Sequence, residues 1–268
     1  MKKNIIILSI VLITLTLMSF VIINKNDSRT SQLDISDFKN VVINPPAINK
    51  NEKRVFSDFI YDIGPRFSPI KKREIEKAIS LDAFFSEVHL QKMATLQAVS
   101  IIFFIDDKQS DIRETGNNEA LTVAQLKLLQ AADYSTNFLI RVDYQEMNKE
   151  TGELEDNYAT PHLTIVPEKQ AEYSQGKDAL KYYLKENSKE ARVNVDPEKL
   201  QAAKLFFTVT KEGTIENVKL DRSSNYPLVD KKMIELISKA PGTWQAAENY
   251  KGEKVDQELV VSFGLMGC

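Results

Sequence analysis

The sequence has little cysteine and histidine, with a single cysteine, Cys268, and two histidines, His89 and His162, among 268 residues. One thiol cannot form an internal disulfide, and it cannot build a zinc or iron–sulfur site alone. The histidines lie far apart in the chain, and no second type of metal ligand clusters with either of them. We therefore interpret both as surface or core residues and expect neither a metal site nor a cofactor.

The sequence also lacks a large excess of charge of one sign, because it has 35 Lys and Arg and 38 Asp and Glu, for a net charge of -3. A weakly acidic chain lacks the basic surface that nucleic acid requires, so we expect no nucleic-acid partner. Neither GxGxxG nor the phosphate-binding GxxxxGK[ST] occurs. The composition of 43% apolar and 27% charged residues excludes wholesale disorder.

The residues that suggest catalysis have simpler interpretations. Ser223 and Ser224 have no histidine near them in the sequence to act as a base, so capping the next helix or closing a turn explains them better than a nucleophile. The acidic pair Asp106–Asp107 reads as a solvated turn. Trp244, the only tryptophan, is interpreted as an anchor in the core or at the end of a sheet. The sequence does not predict an enzyme.

The N-terminus carries an uncharged apolar run from Ile5 to Ile23, preceded by Lys2 and Lys3. As a helix it is about 28 Å long, close to the hydrocarbon thickness of a bilayer. It ends without the small residues of a cleavage site, so residues 1–23 are interpreted as an uncleaved single-pass anchor in preference to a cleaved signal peptide. The flanking lysines favour a cytoplasmic N-terminus. Residues 24–54 read as a polar linker.

Residues 55–168 predict a mixed α+β middle domain of unknown role. A strand is expected at 56–64, a helix opening at Ser68–Pro69, a buried strand at 94–105 and a helix after Thr122. Two further strands, 137–147 and 158–166, predict a hairpin.

Residues 169–268 predict a small antiparallel sheet covered by two helices on one face. The helices are expected at 177–187 and 227–239. The strands are expected at 200–210, 215–222 and 253–265, and Ile215 lies out of phase with Val218 and Leu220, which predicts a bulge near Glu216–Asn217. The predicted fold class is thus α+β, with one N-terminal transmembrane helix.

This sheet is expected to have an open edge at its last strand, where an extended peptide could add its backbone hydrogen bonds. Val260 should point away from the helix-covered face, and either a shielded edge or a partner contact explains it. The residues predicted to pair with a peptide are Gln257, Glu258, Leu259, Val260 and Val261.

The C-terminal region resembles the TonB family, envelope proteins that couple an inner-membrane proton-driven motor to outer-membrane transporters, in the form common in Bacteroidetes. The resemblance covers about 100 residues. It rests on Phe207-x-Val209, Glu212-Gly213, Ile215-x-x-Val218-x-Leu220, Ser223-Ser224, Leu228-x-Asp230, Trp244, Gly252-x-x-Val255, Val261-x-Phe263 and a lead-in at Pro167–Tyr173. The residues that the resemblance implies as structural are Gly213, Ser223, Ser224, Asp230, Trp244 and Gly252.

The resemblance implies a protein of the inner membrane with periplasmic C-terminal domains, whose sheet binds the peptide of an outer-membrane transporter to transduce energy for uptake. Motor proteins would be further partners, and a homo-oligomer stays open. The chain departs from the family where Gln245-Ala246-Ala247 follows Trp244 in place of a proline-containing pattern, and where the run 5–23 has no histidine. The alternative is therefore a periplasmic interaction or scaffold protein that uses the same sheet without motor coupling.

Overall fold

The computed structural model describes residue 56 and residues 58–265, so the predicted anchor at 1–23, the linker at 24–54 and Cys268 lie outside the described residues. No helix within the described part of the chain has the length and apolar character needed to cross a bilayer. The fold is α+β. The strands are β1 Ile60–Gly64, β2 Ser68–Lys71, β3 Thr95–Ile105, β4 Lys108–Gly116, β5 Asn137–Met147, β6 Leu154–Ala159, β7 His162–Val166, β8 Glu172–Tyr173, β9 Ala203–Val209, β10 Ile215–Arg222, β11 Trp244–Gln245, β12 Ala247–Glu248, β13 Lys254–Val255 and β14 Gln257–Gly264. The helices are α1 Lys72–Lys77, α2 Glu87–Leu90, α3 Val123–Ala131, α4 Lys177–Asn187 and α5 Pro227–Ser238, with 3₁₀ turns at Leu81–Ala83 and Glu190–Arg192.

Four strands form an antiparallel sheet in the order β1-β14-β9-β10, which we call the C-terminal sheet. The inward positions of β9 alternate with outward ones, so Leu205, Phe207 and Val209 are all fully buried. They share one apolar core with Leu180 and Leu184 of α4 and with Val229, Met233, Leu236 and Ile237 of α5. The two helices therefore cover one face of this sheet, as the hydrophobic periodicity predicts.

A second sheet has the order β2-β7-β5-β3-β4, with β6 pairing the far half of β5, and we call it the middle sheet. Its long strands β3 and β5 are the apolar segments that the sequence predicts. Helix α3 begins with a capping box, in which the Thr122 hydroxyl accepts from the Gln125 N–H and the Gln125 amide oxygen accepts from the Thr122 N–H. Gln125 also donates to the Val99 carbonyl at 2.8 Å, which ties the helix to the sheet.

Several predicted elements differ in the structure. Ser68–Lys71 is a strand parallel to β7, and the helix begins only at Lys72, because Ile70 is buried beside Ile165 in the sheet. The predicted strand 158–166 is divided between β6 and β7, since Pro161 has no N–H to continue the ladder. The bulge near Glu216–Asn217 is confirmed: the register shifts between Glu216 and Lys219, and Asn217 has a φ of 53°.

Candidate binding site

The last strand has a strand partner on both sides from Val260 onward, so the prediction that Val260 and Val261 lie at an open edge is wrong. Val260 and Val261 pair with Phe206 and Leu205 of β9 on one side. On the other side they pair with Gly64 and Ile63 of β1. The physical reason is that β1 belongs to the C-terminal sheet and covers this side of β14. The sequence had predicted the strand at 56–64 as part of the middle domain.

The remaining positions of the predicted edge are covered by side chains of other segments. Gln257 is buried, and its amide oxygen accepts from the Ala171 N–H at 2.7 Å. The Glu258 N–H donates to the Ser135 hydroxyl at 2.9 Å, and Leu259 is buried in the core. These contacts leave little of β14 open to an incoming strand.

β1 is held firmly in this position. Phe59, Tyr61 and Ile63 are all buried in the core under the helices. Each fully buried apolar side chain contributes about 1.5–3 kcal/mol. The Tyr61 hydroxyl lies 2.6 Å from the Ser188 hydroxyl, and Arg192 donates to the Phe56 carbonyl at 2.7 Å. A peptide would therefore have to displace a well-packed strand to reach β14.

The side of β1 that faces away from β14 is an open sheet edge, because within the described residues β1 pairs only with β14. In an antiparallel strand, alternate residues direct their backbone groups to opposite neighbours. The Glu258 N–H points away from β9. By alternation, the backbone N–H and C=O groups of Val260 and Ser262 also point away from β9, towards Gly64 and Asp62 of β1. It follows that the backbone groups of Tyr61 and Ile63 point outward.

Two lysines of α4 reach this outer border and share one carboxylate. Lys177 and Lys181 place their ammonium groups 2.9 and 3.0 Å from Asp62 Oδ1. Partial burial raises the pKa of Asp62, but the hydrogen bonds from the two lysines outweigh it and hold the pKa below its ordinary value. These two ion pairs tie the first turns of α4 to β1.

A groove of about 600 Å³ opens at the Gly64 end of β1. Lys169, Lys177, Asp62 and Glu172 supply its charged lining. Its apolar walls come from β1, the β1–β2 connection, α4, β11 and β14. They are formed by Ile63, Pro65, Phe67, Leu180, Trp244 and Leu259. The groove was not predicted, because these residues are brought together only by the pairing of β1 with β14.

Trp244 is the buried wall of this groove, and it also belongs to the core, as its interpretation as an anchor predicts. Its ring packs edge-on against Tyr173 and Phe207, with ring centroids 5.5 and 5.4 Å apart. Trp244 is 8% exposed, and among the described residues its buried Nε1–H has no hydrogen-bond partner. A buried donor left unpaired costs about 1–3 kcal/mol.

The residues that the family resemblance singles out have structural roles here. Gly213 has a φ of 79°, and a Cβ at this position would come within 2.5 Å of the Trp244 carbonyl oxygen. Only glycine fits such a turn and such a close approach. Gly252 also has a φ of 79° and closes a turn by donating to the Asn249 carbonyl.

Ser223 and Ser224 close the turn before α5 by binding Asp230 in its first helical turn. The two hydroxyls donate to the Asp230 carboxylate at 2.5 and 2.6 Å, and the Ser224 N–H donates to it at 2.9 Å. Asp230 and Ser224 are both buried. The acid also lies at the positive end of the helix dipole. The turn interpretation is thus confirmed, with Asp230 as the acceptor.

The other face of the C-terminal sheet is covered by the chain itself. Val260 is 4% exposed and points away from the core that holds Leu259 and Val261. On this face the Arg66 guanidinium lies 5.3 Å from the Phe206 ring and pairs with Asp107 at the β3–β4 turn. Neither a shielded edge nor a partner contact is therefore the reason for this outward apolar residue, because Val260 lies on an inner strand and is covered by the chain itself.

A polar cavity of about 310 Å³ lies at this seam between the two sheets, lined by both Arg66 and Glu258. Burial raises the pKa of Glu258 above its ordinary value, with Asp221 adding to the rise and Arg66 and Lys219 opposing it. No group of three or more potential metal ligands occurs in the described part of the chain. His89 lies beside Ser86, and His162 packs against Phe67 and Phe104.

Glu258→Gln is expected to raise the thermal midpoint at pH 7. Because its pKa is raised in the folded state, the proton on Glu258 stabilises the fold fully below the ordinary carboxyl pKa of about 4.3, and this stabilisation is lost as the pH rises through the folded pKa. The neutral amide should remove that loss. Thermal melts from pH 3.5 to 8, with Glu216→Gln as an exposed control, should show a gain for Glu258→Gln that disappears in acid. A gain of the same size at every pH would contradict the assignment.

Comparison of the chain with protein-family models, with curated proteins and with solved structures found no match.

Proposed function

We propose that the chain is a membrane-anchored, TonB-like envelope protein that binds an extended peptide of an outer-membrane transporter. The single observation that carries this proposal is the outer border of β1, which has no strand partner among the described residues and continues into the groove. An edge strand with open backbone groups is a docking surface for a peptide in the extended conformation. The docking position is therefore β1, on the other side of the strand pair from the positions predicted in β14.

Binding of this kind needs backbone pairing and no bond cleavage. The peptide would align beside Tyr61 and Ile63, whose backbone groups point outward, and each hydrogen bond would add about 0.5–1.5 kcal/mol. The side chains of the same two residues are buried in the core. A pull on the peptide would thus be resisted by the packing of β1 as well as by its ladder with β14.

The alternative, a scaffold protein without motor coupling, is favoured by one specific feature. The apolar run 5–23 contains no ionisable residue. A helix without such a group offers no partner of its own to a proton relay. In this version the peptide is held at the same border, and the proton gradient has no effect on it.

A photoreactive amino acid at position 62 tests the proposal in intact envelopes. Asp62 lies on the border, and its side chain is 62% exposed. We expect a crosslink that mass spectrometry maps to the periplasmic N-terminal segment of an outer-membrane transporter, and none from position 216 on the opposite edge strand. Crosslinks that are lost when the proton gradient is dissipated would identify an energy transducer. Crosslinks that do not depend on the gradient would identify a scaffold protein. Equal or absent crosslinking at the two positions would refute docking at β1.

A further inference from the structure

The polar cavity of about 310 Å³ at the seam between the two sheets, which we call the seam cavity, takes no part in the docking border of β1. The face of the C-terminal sheet that points away from the helices contributes Phe206, Lys219 and Glu258 to its lining. Phe104 and Asn137 of the middle sheet also line it. A volume of this size lies at the lower end of pockets that hold small molecules. The seam cavity is therefore a second candidate site, suited to a small ligand.

Two side chains of opposite charge reach the seam cavity without pairing with each other. Glu258 extends from β14 and Lys219 from β10, and the charge of Lys219 favours the ionised form of Glu258. Neither side chain forms a hydrogen bond or an ion pair with another described residue. A partly buried charge without a hydrogen-bonding partner is costly. A ligand that supplied a partner to both groups would remove this cost.

The width of one strand separates the two charges. Phe206 of β9 pairs with Val260 of β14 on one side and with Lys219 of β10 on the other. Neighbouring strands lie about 4.8 Å apart, so the backbones of β14 and β10 are about 10 Å apart. Glu258 and Lys219 therefore approach the cavity from opposite sides of β9. A molecule that carries an ammonium group and a carboxylate on one carbon bridges such a gap, since each charge-assisted hydrogen bond spans about 2.8 Å.

Charges of both signs surround the seam cavity. Arg66 pairs with Asp107 at its rim, and Lys204 lies close enough to Asp221 to interact with its charge. A mixed set of charges gives no advantage to a ligand of one sign, whereas a zwitterion places each of its charges beside an opposite one. Arg66 Nε and Asp221 Oδ2 are buried and have no hydrogen-bond partner among the described residues. The polar network at the seam is thus incomplete within this part of the chain.

We infer that the seam cavity binds a free α-amino acid with an aliphatic side chain. Its ammonium group donates to the Glu258 carboxylate, and its carboxylate accepts from the Lys219 ammonium group. The aliphatic side chain packs against Phe104 and Phe206, which supply the apolar part of the lining. The site is separate from the proposed docking of a peptide, which uses the outward backbone groups of β1.

Matched ligands test which charges the site requires. The full chain in detergent micelles is titrated with L-leucine by calorimetry, and the side-chain amide resonances of Asn137 and Asn217, which line the cavity, are followed by NMR. We expect saturable binding, with both amide signals moving over the same concentration range. N-acetyl-L-leucine, which lacks the ammonium group, and L-leucinamide, which lacks the carboxylate, should each bind about tenfold or more weakly. No saturable binding of L-leucine, or binding that leaves both amide signals unmoved, would overturn the inference.

Two variants assign the ends of the ligand. Lys219→Met should weaken the binding of L-leucine by about tenfold or more and leave that of L-leucinamide unchanged, because leucinamide has no carboxylate for Lys219 to bind. Glu258→Gln should weaken L-leucine to a similar extent and leave N-acetyl-L-leucine unchanged. Since Glu258→Gln is expected to raise the thermal midpoint at pH 7, its weaker binding would not result from unfolding.

Glu216→Gln, at an exposed glutamate of β10, is the matched control and should bind L-leucine as the wild type does. The bridge between Glu258 and Lys219 would be wrong if either variant kept the wild-type affinity for L-leucine. It would also be wrong if either variant weakened both of its ligands equally. Crosslinking at position 62 tests docking at the β1 border separately, so the two proposals stand or fall independently.

Discussion

Val260→Pro is expected to unfold the C-terminal sheet. Val260 pairs with Phe206 on one side and with Gly64 on the other. A proline there removes the N–H that faces β1 and places its ring between two strands, which proteins tolerate only at sheet edges. We expect a loss of about 3 kcal/mol or more in the free energy of unfolding, measured by urea denaturation.

Val260→Ala is the matched control, because it keeps the N–H and removes only two methyl groups. Its loss should be smaller, about 1–2 kcal/mol, from the burial of the valine side chain. The difference between the two variants isolates the backbone effect. If proline were no worse than alanine, Val260 would have a free side after all, and the pairing with β1 would be wrong.

The local elements of the C-terminal sheet could be predicted because each one is encoded by a short stretch of sequence. The helix at 177–187 and the strand at 215–222 have the predicted bounds. The bulge near Asn217 was visible as one apolar residue out of phase. The turn glycine Gly213 and the serines before α5 also act within a few residues of their position in the chain.

The pairing of β1 with β14 could not be predicted, because about 200 residues separate the two strands and nothing in either one specifies its neighbour. The alternation in Phe59, Tyr61 and Ile63 identifies a strand with one buried face, but not the sheet that buries it. The position of the open edge depends on this one pairing. The open edge therefore lies on β1 and not on β14, where the sequence predicted it, although most of the secondary structure was predicted correctly.

Local propensity also failed where tertiary packing prevailed. Ser68–Pro69 resembles the start of a helix, yet Ile70 is buried next to β7 in a parallel pair. Ile79 would lie on the same face as the buried Ile75 if the helix continued, but it is 71% exposed because the helix ends at Lys77. Propensity is a weak preference that burial in a sheet overrides.

Arg192→Met is expected to loosen β1, the strand on which the proposed docking border depends. The Arg192 side chain is 1% exposed and donates to the carbonyls of Lys185 at 2.8 Å and Phe56 at 2.7 Å. Its guanidinium also lies 5.4 Å from the Phe59 ring. Methionine fills much of the volume but removes the charged donor from both carbonyls and leaves Lys185 O with only the long bond from the Ser188 hydroxyl at 3.4 Å, so we expect a loss of about 3 kcal/mol in the free energy of unfolding.

Hydrogen exchange locates the effect, since amides of residues 59–64 should exchange faster in Arg192→Met while those of β3 in the middle sheet should not. Arg222→Met, at an exposed arginine, is the control for loss of charge. Arg192→Lys should fall between the wild type and Arg192→Met, because an ammonium group lacks the planar fork that reaches separate carbonyls. Faster exchange throughout both sheets would mean that Arg192 supports the whole fold. Faster exchange confined to β1, together with weaker peptide binding, would show that the border works only while β1 is held in the sheet.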